Sequence, residues 1–342
     1  MMPRENLIAA LEGERPESIP LTIYHEFLDD DPAWSALFAR VLCPAMWTST
    51  TRKRATNVER IVKSETWNGY PAERTLLRTP VGEIAQVSAR GWVQEYFLKE
   101  PADYRVMEYV VRDTRIEPFP QGFWDAEQRV GDHGVSMVWV GRSPMQTILV
   151  DYAGLERFSY HLADAFPEFF ALADALMDQL LRVCQVTASG PGRYVSLLEN
   201  LTAETWGPRR FAQYHMPVYR RILPILHGGG KTVYAHFDGK LACLADGIAQ
   251  TEIDGIESLT QAPEGDITYA EARAAWPDKF LWANLNVSQY ALPPEELARR
   301  VRKVVRQAAP DGRNLALEIS EDLPENWRES IPVVLDALDT PW

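Results

Sequence analysis

The chain has 342 residues, 46% of them hydrophobic, and a formal net charge of -13. That length suits one large domain or two small ones, and the apolar share can build a substantial core. The acidic balance excludes nucleic acid and anionic membranes as main partners.

The start, Met1-Met-Pro-Arg-Glu-Asn6, is polar and carries no signal-peptide pattern. No apolar run reaches the roughly 18 residues of a membrane span. The three cysteines, Cys43, Cys184 and Cys243, show no close metal-ligand spacing. Such an odd, sparse set suits a reducing cytoplasm, and Cys184 and Cys243 read as small core residues.

In chain order, residues 4–12 read as a short helix with Leu7, Ile8 and Leu11 on one face, stopped by Gly13 and Pro16. Ser18 to Tyr24 reads as a first strand ending at His25-Glu26. From about 62 to 118 the pattern changes. Thr79-Pro-Val-Gly-Glu-Ile-Ala-Gln-Val and Gly91-Trp-Val-Gln-Glu-Tyr-Phe alternate like an antiparallel hairpin, an excursion from the main domain. After residue 134, strands and helices alternate. Val135 to Val140 is a strand, and helices follow at 154–164 and 167–186. Next come a strand at 193–199 and a helix at 208–226, opened by Pro208 and expected to kink at Pro217. Further strands are expected at 231–236, 253–259, 280–285 and 314–319, with helices near 241–250, 268–275, 293–308 and 324–338. The helix at 293–308 carries a basic face of Arg299, Arg300, Arg302, Lys303 and Arg306 opposite Leu297, Val301, Val304 and Ala308, which reads as a solvated face. The alternation favours a parallel sheet, and a closed (β/α)8 TIM barrel in a single domain over 1–342 fits the count best.

In such a barrel the residues at the carboxyl ends of the strands share one pocket. They are His25 and Glu26; Arg142 and Ser143; Glu199 and Asn200; His236 and Asp238; Gln261; Asn284 and Asn286; then Glu318, Ser320 and Glu321. His236 and Asp238 stand two apart on a strand, so both project the same way. They could hold a metal, move a proton or form a buried couple. One His with several carboxylates and no thiolate suits Zn²⁺ or another borderline cation. Glu321 and Asp322, just before Pro324, could instead cap the last helix. Trp206, Trp276 and Trp282 flank strand ends and could wall a pocket for an apolar or aromatic group. Gly228-Gly-Gly-Lys-Thr232 lacks the spacing and the strand-to-helix order of a phosphate loop, and reads as a helix stop.

Five segments in the right order resemble the uroporphyrinogen decarboxylase superfamily almost end to end. They are Arg4-Glu-Asn-Leu-Ile-Ala-Ala-Leu-Glu-Gly-Glu-Arg-Pro-Glu-Ser-Ile-Pro20, Thr79-Pro-Val-Gly-Glu83, Glu199-Asn-Leu-Thr-Ala-Glu-Thr-Trp-Gly-Pro-Arg-Arg-Phe211, His236-Phe-Asp-Gly239 and Pro324-Glu-Asn326. The resemblance implies a TIM barrel with the hairpin inserted early. True decarboxylases of that family grip their substrate with Arg-Gln-Ala-Gly-Arg after the first strand. Here that place reads His25-Glu-Phe-Leu-Asp-Asp-Asp31, which would repel a polycarboxylate. The corrinoid-linked methyltransferase branch is the nearer likeness. Its zinc sits on His-x-Cys at the end of the strand that here carries His236, and on a later cysteine near the last strand. In this chain Asp238 replaces the first cysteine, and Glu318-Ile-Ser-Glu321 stands near the last strand with no cysteine.

The resemblance therefore implies transfer of a methyl group from a small, for instance methoxylated aromatic, substrate to a corrinoid carried by a partner protein. His236 and Asp238 would be zinc ligands, with Glu321 or Glu318 as a third. Glu199 would be a fourth ligand or a proton donor, with His25 and Arg142 as further catalytic candidates. Asn200, Gln261, Asn284 and Trp206 would bind substrate. A second copy in a homodimer is a further partner to test. Two alternatives stand beside this reading. One is a lyase or decarboxylase of a small carboxylated substrate gripped by Arg142 or Lys240. The other is a non-catalytic protein that binds a corrinoid or another ligand.

Overall fold

The computed structural model describes residues 1–339. Its strands, in chain order, are β1 (Leu21–Tyr24), β2 (Leu42–Thr48), β3 (Thr51–Arg54), β4 (Glu59–Trp67), β5 (Tyr70–Thr79), β6 (Gly82–Ala89), β7 (Trp92–Glu95), β8 (Arg115–Pro118), β9 (Val135–Gly141), β10 (Tyr194–Leu197), β11 (Thr232–His236), β12 (Gly255–Leu259), β13 (Phe280–Leu285) and β14 (Leu315–Ile319). Eight of them close a barrel in the order β1-β14-β13-β12-β11-β10-β9-β2. Together with the surrounding helices this is the expected (β/α)8 TIM barrel.

The chain divides into two compact units. The first comprises 1–50, 120–140 and the described chain from 190 onward, and carries the barrel strands. β10, β12 and β14 are buried at every position, as parallel strands covered on both faces must be. Inside the barrel, Cys43, Val135, Tyr194, Tyr234, Phe280 and Trp282 form one apolar cluster. Helix α1 (Pro3–Leu11) contributes Leu7, Ala10 and Leu11 to the same cluster. Its apolar face thus closes the amino-terminal end of the barrel.

The second unit comprises 51–119 and 141–189. The excursion read as a hairpin is larger than the sequence pattern indicates. β4-β5-β6-β7 form an antiparallel sheet of four strands, and β3 pairs with β8. Helices Pro101–Asp113 and Pro167–Ser189 pack together beside them.

Several local expectations are corrected. The barrel strand β2, Leu42-Cys-Pro-Ala-Met-Trp-Thr48, has no clear strand pattern in sequence, yet it pairs with β1 and β9. The expected helix 208–226 does open at Pro208, just after a break at Gly207, but the irregularity expected at Pro217 lies upstream of it, in a wide turn inside the helix. Ala203–Arg210 bends at Gly207 (φ 55°), Phe211–His215 forms a wide turn, and Met216–Gly228 follows. Pro217 lies in the first turn of that last helix, where its missing N–H is not needed. Cys243 is exposed, because its short 3-10 turn buries Leu244 instead. The last helix begins at Trp327, so neither Glu321 nor Asp322 caps it.

Candidate metal centre

Strand parity builds the site. Tyr234 and His236 on β11, Gly255 and Glu257 on β12, Trp282 and Asn284 on β13, and Ala316 and Glu318 on β14 are pairs two residues apart. Side chains two apart share a face, and Tyr234, Trp282 and Ala316 belong to the interior cluster. His236, Glu257, Asn284 and Glu318 therefore form the next interior layer toward the carboxyl ends. The registers Tyr234↔Gly255, His236↔Glu257 and Asn284↔Glu318 set those members side by side. Ser196 on β10 joins them, because its hydroxyl donates to Glu257 Oε2 at 2.7 Å.

At the centre is the His236 imidazole, with its side chain 5% exposed. Its Nδ1 lies 3.5 Å from Glu257 Oε1. Its Nε2 lies 3.2 Å from Glu321 Oε1 and 3.6 Å from Asp238 Oδ2. Neither contact is a well-formed hydrogen bond, and Nε2 is a buried nitrogen with no hydrogen-bond partner. One ligand atom from each of His236, Asp238 and Glu321 lies within 4.8 Å of the others. Asp238 Oδ2 also accepts from the Asn200 amide at 3.0 Å. Glu321 Oε1 faces the Ser258 hydroxyl at 3.5 Å.

These residues fit a divalent cation. A buried ring nitrogen without a partner faces two carboxylates, while the opposite nitrogen faces a third. A metal-bound histidine is held in this way, with a carboxylate fixing its tautomer and orientation. One nitrogen and two carboxylate oxygens suit zinc or a somewhat harder ion.

The electrostatics follow from crowding. Burial opposes a charged imidazole, but Asp238, Glu257 and Glu321 outweigh it and hold the His236 pKa well above its ordinary value. Burial also raises Asp238, yet the imidazole and the Asn200 amide leave its pKa lowered. Glu318 is buried beside the Tyr24 hydroxyl, without a well-formed hydrogen bond to either oxygen. Burial and the Glu257 charge push its pKa up to about 8. Burial and the charges of Glu318, Glu257 and Glu321 also raise the Tyr24 phenol.

The sequence-derived candidates fare differently. His236, Asp238 and Glu321 come together, and Glu318 stands in the interior layer outside that group of three. Asn200 touches the group through Asp238. Glu199 is fully buried and accepts from the Tyr219 hydroxyl at 3.2 Å. Asn284 donates to Thr260 Oγ1 at 3.2 Å. Gln261 lies just past β12 and accepts from the Gly265 amide through its backbone. His25 sits in the 3-10 turn His25–Phe27, with no side-chain hydrogen bond or ion pair among the described residues. Arg142 belongs to the second unit and pairs with Asp151 at 3.2 Å. Trp206 is buried edge-on against His215, and Trp276 donates to the Ala245 carbonyl. Trp282 lies in the apolar layer below His236. The aromatic pair near the carboxylates is instead Tyr24 on Trp47, 4.7 Å between centroids.

Glu257 is the residue that sequence reasoning missed. Its signal was parity: a lone carboxylate two residues after Gly255 in an otherwise apolar strand.

No family model matches the chain, and no curated protein matches it. Among solved structures, a methyltransferase from Methanosarcina mazei superposes with a TM-score of 0.56 at 11% identity, covering 99% of this chain and 98% of that one. Catalytic modules of a pneumococcal exo-beta-D-N-acetylglucosaminidase align with a TM-score of 0.42 at 7% identity, covering 94% of this chain and 84% of that one. At such identities the first likeness is one of fold, and the second carries no argument.

Proposed function

We propose that the chain is a metal-dependent methyltransferase. It takes a methyl group from a small methylated substrate, such as a methoxylated aromatic, and passes it to the cobalt of a corrinoid held by a partner protein. The observation that carries this reading is the buried His236 Nε2, without a well-formed hydrogen bond and facing Asp238 and Glu321, with Glu257 behind the ring. The full-length fold likeness to a methyltransferase and the sequence resemblance to the corrinoid-linked branch support it.

When bound, zinc supplies a Lewis acid that polarises the heteroatom bearing the methyl group. Glu257, itself held by Ser196, keeps the ring oriented. Asp238 and Glu321 set the charge and, through their hardness, favour an oxygen-bearing substrate over a thiol. Glu318 stands in the same buried layer as the acid that returns a proton to the departing oxygen. Tyr24 and Trp47 offer a flat wall for an aromatic substrate.

The lyase reading asks for a cation free to grip a carboxylate. The two cations named for that role have acids beside them: Arg142 faces Asp151 at 3.2 Å and Lys240 faces Glu204 at 2.6 Å.

The test is elemental analysis of protein purified without a metal-chelating tag, followed by assay of methoxylated aromatics with reduced cobalamin. About one zinc per chain, and methyl-cobalt absorbance that stops with chelator and returns with zinc, supports the reading. Methyl transfer that survives metal removal, or a chain that takes up no metal when supplied with it, overturns it.

A further inference from the structure

β4 stands at one end of the sheet β4-β5-β6-β7. It is long for an edge strand, nine residues, and most of it is exposed, with Val62 at 41%. A long open edge is a template for another strand, and two observations say which strand fits.

The first is which backbone groups are open. β4 and β5 are joined by a two-residue turn in which Asn68 (φ 49°) and Gly69 (φ 85°) are both left-handed, with Trp67 opposite Tyr70. Such turns close on a pair that exchanges both hydrogen bonds. Trp67, Glu65, Lys63 and Ile61 therefore aim their N–H and C=O at β5. Thr66, Ser64, Val62 and Arg60 aim theirs at the open edge.

The second is charge. Lys63 lies directly opposite Arg74 across the sheet, a like-charge pair. Arg74 is taken by Glu65, at 2.8 and 3.1 Å. No ion pair reaches Lys63 among the described residues.

From these we infer that two copies of the chain associate by antiparallel pairing of their β4 edges about a two-fold axis at Ser64. In that register Ser64 faces Ser64 and Val62 faces Thr66, all with outward backbone groups. On the other face Lys63 meets Glu65 of the second copy, and Ile61 meets Trp67. The unpaired ammonium joins the Glu65–Arg74 pair of the second copy, twice by symmetry, and the apolar residues meet each other. Sliding by two residues one way sets Lys63 against Lys63; sliding the other way sets Glu65 against Glu65. A slide by one residue mismatches the open backbone groups. A charge in mid-strand commonly guards an edge against pairing. Here it guards against the neighbouring registers and favours one.

Sedimentation velocity of the full chain at micromolar concentration tests this, with circular dichroism to confirm folding. The wild type runs as a dimer. Val62→Pro, which removes only an outward N–H, runs as a monomer. Lys63→Glu, which sets acids against acids, raises the dimer dissociation constant at least about tenfold. In a Cys243→Ser background, Ser64→Cys oxidises to a covalent dimer, because residues facing themselves across such a pair fall within disulfide reach. Val62→Cys does not, because it faces Thr66. A monomeric wild type, a dimer indifferent to Val62→Pro and Lys63→Glu, or crosslinking at 62 in place of 64 overturns the inference.

Discussion

Two adjacent layers inside the barrel are built from the same strands and differ in one respect. In the lower layer the polar atoms of the aromatic side chains are spoken for. Trp282 Nε1 donates to Thr22 Oγ1 at 2.7 Å, Tyr234 Oη to the Leu11 carbonyl at 3.2 Å, and Tyr194 Oη to Glu12 at 3.1 Å. In the upper layer His236 Nε2, both oxygens of Glu318 and Asn284 Oδ1 are buried without well-formed hydrogen bonds. An unsatisfied buried polar group is destabilising by about 1–3 kcal/mol, more when charged. Groups left open in this way are ones that a bound cation or substrate would satisfy. The floor serves stability, and under the proposed function the layer above it serves binding.

The sharpest way to break this comparison is His236→Ala. It is expected to remove bound zinc and abolish methyl transfer while the circular dichroism spectrum stays native; near-normal turnover would take His236 out of the chemistry. Trp282→Ala should do the reverse. Truncating a buried Trp costs about 3–5 kcal/mol of stability, read by urea denaturation, while the folded fraction keeps its metal stoichiometry. Equal loss of metal in both variants would mean that the two layers are not separable.

Glu257→Gln tests the residue behind the ring. It keeps the shape but removes the charge that orients His236, and should weaken zinc about 10- to 100-fold in competition with a chromophoric chelator. An unchanged affinity would reduce Glu257 to a buried spacer.

The smallest effect contrasts two histidines. His215 is buried among Trp206, Phe211 and Tyr219, and burial lowers its pKa to about 3. His236, among carboxylates, goes the other way. The unfolded chain binds a proton at His215 below about pH 6.5, whereas the folded chain waits until about pH 3. Stability is therefore fully present above pH 6.5 and falls as the pH drops through that window, by up to about 1.4 kcal/mol per unit. His215→Phe should flatten that slope in denaturation series between pH 6 and pH 4; an unchanged slope would place the acid sensitivity elsewhere.

Most of the barrel was legible from the chain. From Val135 onward the strands follow apolar runs between helical stripes, and Phe280–Leu285 falls where the pattern puts it. His236 and Asp238 were legible because both sit at the tip of one strand, where spacing alone sets their direction. Three things were decided only by the tertiary structure. β2 is a strand because β1 and β9 bracket it, not because Leu42-Cys-Pro-Ala-Met-Trp-Thr48 favours one. Glu257 reaches His236 through the β11–β12 register, which no local pattern records. Glu321, past the end of β14, meets the imidazole at the end of β11 because the barrel curves its strands round one interior, so that ends with β12 and β13 between them in the sheet converge. Periodicity fixes which way a side chain points from its own strand. Register and closure are long-range and fix what it finds there.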